Sequence, residues 1–170
     1  MCGGNGNPPG KPVKITLTVQ ASSLFALGGT SFTQTQVDNL CSLSDDNDGG
    51  NSSNVNTFES NVYLNKNVQW VGAVKDEKGV DKGFSIAIDS IVHEATPQSD
   101  PTAPSNDNFF ASATINGGGG RSSNVNAVVK NNTSLINQLD VYTINFSVYD
   151  QQNNHFSFPI DPKLRAKSST

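Results

Sequence analysis

At 170 residues and a formal charge of −4, the chain is the size of one domain and has no clustered basic block of the kind a nucleic-acid footprint needs. Charged residues make up 15%, against about 25% in an average domain, which excludes charge-rich disorder and a long helical bundle. The apolar share is 34%, and the remainder is rich in Asn, Ser, Thr and Gly, the composition of an all-β protein with many polar turns.

Residues 1–12 are rich in Gly, Pro and Asn and read as a flexible leader. Cys2 and Cys41 permit one disulfide but make no framework, and a bridge from the leader would constrain little. No apolar run approaches the ~18 residues of a spanning helix, and no signal peptide pattern is visible. Two readings of location stand. The reduced, cytoplasmic one is slightly favoured. The other is a mature lipoprotein or secreted form whose signal has been removed, because Cys2 followed by Gly3, Gly4, Asn5, Gly6 and Asn7 is like the start of a mature bacterial lipoprotein.

Val13, Ile15, Leu17 and Val19 alternate with polar residues, the period of a half-buried strand. Residues 21–43 are ambiguous: Gly28-Gly29 stops any helix begun by Leu24, Phe25 and Leu27, and 32–40 reads as a short helix or a crossing loop. Residues 44–56 read as a polar loop. A short strand at Val62–Leu64 precedes a longer one with Val68, Trp70, Gly72 and Val74 on one face. The turn 75–79 then leads to a strand over Phe84–His93, and the two longer strands are expected to form a hairpin. Pro97, Pro101 and Pro104 exclude a central strand from 95–108. Strands are expected over 109–115 and 125–129. Tyr142, Ile144, Phe146 and Val148, then Phe156, Phe158 and Ile160, give the clearest hairpin, with Pro159 placing its second strand at an edge or a sheet exit. Lys163, Arg165 and Lys167 read as a solvated terminus. The fold expected is a single-domain antiparallel β-sandwich of jelly-roll or Greek-key type with one short helix, over 13–164, followed by a flexible tail, 165–170. Residues 49–56 and 119–126 echo one another, which reads as chance in a Ser/Asn/Gly-rich chain or as two equivalent loops.

No local motif for catalysis is present. His93 and His155 are the two histidines, no G-x-S-x-G occurs, neither cysteine has a zinc spacing, and Gly117–Gly120 lacks the Lys-Ser/Thr ending of a phosphate loop. The acidic loop offers one metal site. Asp45, Asp46 and Asp48 supply hard oxygens beside Gly49, and calcium is the ion such a loop would take. It is not an EF-hand, since Val55 stands where the bidentate Glu belongs. Trp70 reads as core. Asn153, Asn154 and His155, beside Tyr149, form an edge where a sugar could stack on rings and bond to amides. No resident cofactor is expected beyond that calcium ion.

Val141–Tyr149, the polar loop after it, and Phe156–Leu164 with Asp161-Pro162 resemble the ending of the bacterial inclusion-body (PixA/AidA-like) proteins, which close with an aromatic strand running into Asp-Pro. The early strand at 13–20 and Asn67–Gly72 are in keeping with it. Pro159-Ile160 stands where a bulky aromatic is usual, and the leader with Cys2 is foreign to the pattern. The resemblance implies a β-sandwich, no enzyme, and a role in assembly or ligand recognition. The reading is therefore a non-catalytic protein that self-assembles as a homo-oligomer or binds a surface partner. The alternative is a carbohydrate-binding module, calcium-dependent through Asp45–Gly49, with a glycan as partner.

Overall fold

The computed structural model describes residues 10–47, 51–52, 54–95 and 107–169. Two sheets face each other across one apolar core. The elements, in chain order, are β1 (Val13–Val19), α1 (Ala21–Gly28), α2 (Gln34–Asn39), β2 (Cys41–Asp45), β3 (Asn51–Ser52), β4 (Glu59–Tyr63), β5 (Asn67–Val74), β6 (Ser85–His93), β7 (Thr114–Asn116) and β8 (Val125–Val128). A 3-10 turn at Thr133–Leu135 leads to β9 (Leu139–Tyr149), β10 (His155–Ile160) and β11 (Lys163–Lys167). The mostly-β single domain expected from the sequence is what the chain forms.

The first sheet runs β3-β2-β1-β5-β8. Its central strand, β1, buries Val13, Ile15, Leu17 and Val19, so the period-two pattern is the core pattern. β1 pairs antiparallel with β2 but parallel with β5. The second sheet runs β4-β11-β9-β6-β7, with β10 also on β9, and β4 pairs parallel with β11. Both sheets are thus mixed, although most of their pairs are antiparallel.

Four local readings change. β5 and β6 are not a hairpin: β5 lies in the first sheet and β6 in the second. The link between them crosses the sandwich, held by the buried Asp81 carboxylate, which accepts from the backbone of Ser22 at 2.8 Å and of Asp76 at 3.1 Å. The expected loop 44–56 contains the end of β2 and the short β3. The expected strand 109–115 is reduced to β7, because Phe109 and Phe110 turn into the core instead of pairing. The cations expected in a solvated tail lie on β11, whose Leu164 and Ala166 are fully buried.

Two α-helices occupy 21–39 where one short helix was expected. Thr33 and Gln36 form a capping box that starts α2. α1 ends where Gly28 lies against the Phe156 ring, leaving no room for a Cβ. The helices cover the open side of β10: Phe25 meets Phe156, Phe32 meets Phe158, and Gln34 Nε2 donates to the Pro159 carbonyl at 2.7 Å. Pro159 therefore sits on an edge, as its missing N–H requires. Cys41 is a buried free thiol, pushed up to about 12 by burial and by the nearby Asp38 charge. Cys2 lies outside the described residues.

The sheets are tied through Trp70 on β5. Its Nε1–H donates to the Tyr142 hydroxyl on β9 at 3.0 Å, and its ring meets those of Tyr142 and Phe110 edge-on. Nearby the sheets approach so closely that a Cβ on Gly72 would stand 2.5 Å from the Ile86 carbonyl oxygen. Gly72→Ala is expected to destabilise the fold by about 1–3 kcal/mol, read as a lower urea midpoint, because backbone cannot give way as a side chain can.

Candidate interaction face

β10 and β11 behave as one strand interrupted at Asp161-Pro162. Ile160 pairs with Ile144 and Lys163 with Val141, so the register along β9 continues across the break. Side chains alternate along this composite strand. Phe158, Ile160, Leu164 and Ala166 enter the core. His155, Ser157, Pro159, Asp161, Lys163, Arg165 and Lys167 share the outward phase. On β9 the outward phase carries Val141, Thr143, Asn145, Ser147 and Tyr149, matching the register with β10 and β11; of these Val141 and Ser147 are buried and the other three are half-exposed.

This outward face changes charge sign along its length. At the β11 end stand Lys163, Arg165 and Lys167, half-exposed. Arg165 is held by Glu59 and donates to the Asn137 carbonyl at 2.7 Å, and Lys167 donates to Asn137 Oδ1 at 3.1 Å. The Lys163 ammonium has no partner among the described residues.

The other half is polar and acidic. Thr143 Oγ1 lies 2.6 Å from Glu94 Oε1 and 2.7 Å from Asp161 Oδ1. Burial pushes the Asp161 carboxyl up to about 6, with Glu94 and Asp38 adding to the rise. Further along, the Ser147 hydroxyl donates to Asp89 Oδ2 at 2.5 Å and meets Ser157 Oγ at 2.9 Å. Asp89 is the extra residue of a bulge in β6, which aims its carboxylate outward. Burial holds Asp89 above its ordinary value, against the pull of Ser147 and His155. The face ends at Tyr149 and His155, whose rings stack with centroids 4.6 Å apart.

The sheet edges are short or covered. The edge strands β3, β7 and β8 have two, three and four residues. β4 is closed by Asn47, whose Nδ2 donates to the Asn61 carbonyl at 2.8 Å. β10 is closed by α1 and α2. Such edges resist strand addition by another chain.

The residues singled out from sequence take definite places. Asp45 accepts from Asn47 N at 3.0 Å and from Ser60 Oγ at 2.6 Å. Asp46 accepts from Lys14 N at 2.8 Å, and its carbonyl takes the Lys11 ammonium. Both carboxylates are engaged in joining β1, β2 and β4. Asp48 lies outside the described residues, among which no group of three or more His, Cys, Asp or Glu is arranged to hold a metal. At the hairpin tip Asp150 accepts from Gln152 N, Asn154 N and Asn154 Nδ2, each at 2.9 Å, while Asn153 Oδ1 accepts from Arg121 at 2.7 Å. The Asn154 amide thus serves its own turn and the Asn153 amide fastens that turn to Arg121; all three residues are exposed, and His155 is the one that reaches the face. In the echoed loops Val55 and Val125 are both buried, but Val125 begins β8 whereas Val55 lies in a turn.

One pair escaped the sequence reading. His93 Nδ1 lies 2.6 Å from Asp140 Oδ1, and Asp140 Oδ2 accepts from Phe109 N at 3.1 Å. Burial raises Asp140, opposed by the His93 and Phe109 bonds. The hollow beside the pair, lined by Ser112 and Phe110 among others, is too small for a water molecule. The pair therefore anchors the 109–110 segment. Asp140→Ala is expected to cost about 2–4 kcal/mol in chemical unfolding, since the Phe109 N–H and the His93 ring both lose their partner.

Among the described residues no helix is long and apolar enough to cross a membrane. No family model matches the sequence, and no curated protein matches it. In fold the chain is similar to a solved structure, the inclusion body protein PixA from Burkholderia cenocepacia J2315, with a TM-score of 0.49 and 11% identity over 95% of this chain and 99% of that one.

Proposed function

We propose that this protein is a non-catalytic β-sandwich that self-associates through the outward face of its second sheet. The observation that carries the reading is the reversal of charge along one composite strand, from Asp161 to Lys163 and Lys167. A two-fold axis through such a face sets the basic end of one copy against the acidic end of the other, which is the self-complementarity an isologous dimer needs. The closed edges favour a face over an edge as the meeting surface. The size is adequate: an eleven-residue strand, β9, with its neighbours covers on the order of 800 Å² per partner, the standard interface area.

Sedimentation velocity over a hundredfold range of concentration tests it. The expected result is a monomer–dimer equilibrium that weakens as salt rises. A monomer at every concentration and at low salt would overturn the reading.

A further inference from the structure

The Thr143 hydroxyl has one hydrogen and two close acid neighbours. It can donate to Glu94 or to Asp161, but not to both. With oxygens at 2.6 and 2.7 Å, the second contact is a hydrogen bond only if that carboxyl carries a proton and donates it to Thr143 Oγ1. Two ionised carboxylates flanking one hydroxyl would leave one oxygen–oxygen approach repulsive.

We propose that Glu94 and Asp161 share one proton across Thr143, and that its release switches the acidic end of the interaction face from one negative charge to two. Among the described residues the groups around the site come from four places: Glu94 at the end of β6, Thr143 on β9, Asp161 at the β10–β11 break and Asp38 on α2. Asp38 is held off by its own bonds to Gln34 Nε2 and Asn56 Nδ2, each at 2.8 Å, and its charge favours keeping the shared proton. Lys163 follows on the same outward phase two residues later. No covalent step is involved; the proton passes to solvent.

The regulation rests on the self-association proposed above. The doubly charged end attracts the basic end of a second copy more strongly, so association tightens as pH rises through the titration. By linkage a docked copy lowers that titration, and each unit of lowering strengthens association about tenfold for each of the two symmetry-related sites. The site also makes a contribution of its own to folding. Asp161 is raised from 3.8 to about 6, so the stability it adds is complete below pH 4 and is lost as pH rises through about 6.

Carboxyl carbon NMR of the full chain, at a concentration where it is monomeric, tests the shared proton. Asp161 is expected to show its step near pH 6, with a simultaneous chemical-shift change at the Glu94 carboxyl. Thr143→Val is expected to shift that step. An Asp161 step at its ordinary 3.8 with no response at Glu94 would overturn the proposal, whatever the chain's association. Sedimentation between pH 5 and 7.5 then tests the regulation. Tighter association above pH 6 in the natural chain and a flat profile in Asp161→Asn support it. Association with the same pH profile in both chains would overturn the regulation while leaving the interface intact. A titration near pH 6 in a chain that never associates would sink the interface reading and leave the shared proton standing.

Discussion

Replacing Trp70 with alanine is expected to cost about 3–5 kcal/mol of folding stability, a large share of what a domain of this size has. The indole is buried to within 1% of complete, between the two sheets. Its removal opens a cavity bounded by Tyr142 and Phe110, and the rings cannot collapse into it without displacing β9 and the 109–110 segment. The Tyr142 hydroxyl also loses its donor. Tyr142→Phe separates the two effects. It keeps the volume but leaves the Trp70 N–H unpaired in the core, at about 1–3 kcal/mol. Urea unfolding followed by circular dichroism reads both, and the order of midpoints, natural chain above Tyr142→Phe above Trp70→Ala, is the expected outcome.

The second large effect concerns association. Lys163→Glu with Lys167→Glu is expected to weaken dimerisation about 100-fold or more, because like charges brought together across an interface cost several kcal/mol. Both side chains are half-exposed on β11, and the one bond lost within the monomer, Lys167 to Asn137 Oδ1, limits the change in its stability to about 1 kcal/mol. Arg165 is left in place because it secures Glu59 and the Asn137 carbonyl. Sedimentation together with thermal unfolding distinguishes loss of association from loss of fold.

Where an element's pattern was local and strong, the sequence was sufficient. β1 and the β9–β10 hairpin alternate without interruption in sequence, and burial follows the alternation along β1 and β10; on β9 Val141 and Ser147 are buried as well, although they fall on the outward phase. α2 carried a readable signal in Thr33-x-x-Gln36, but only two turns of weakly amphipathic sequence followed it. β11 has just Leu164 and Ala166 to bury, and three cations between and around them look like a tail; pairing with both β4 and β9 is what makes it a strand. The β5–β6 error has a similar cause. A polar turn between two apolar runs looks alike whether the second run returns to the same sheet or crosses to the other, and the deciding group, Asp81, ties its own turn at Asp76 to the backbone N–H of Ser22, far away in sequence. The parallel pairs β1–β5 and β4–β11 join strands dozens of residues apart and leave no local trace.

The candidate face was half legible. Alternation gives the outward phase of Asp161, Lys163 and Lys167 once β10 and β11 are known to be one strand. Asp140 could have been found, since it falls in phase with the inward Tyr142, Ile144 and Phe146, and a carboxylate there needs a partner. Glu94, Thr143 and Asp161 come together from three elements, and no spacing announces them.

The most direct test of the interface is a charge exchange between copies. Lys163→Glu reverses the basic end and Asp161→Lys the acidic end; each variant alone should sediment as a monomer, with thermal unfolding confirming that both fold. In a two-fold dimer the mixed pair restores opposite charges at both symmetry-related contacts. An equimolar mixture is therefore expected to sediment as a heterodimer with affinity near that of the natural chain. A mixture that stays monomeric, while the natural chain dimerises, would place the interface elsewhere and contradict the account.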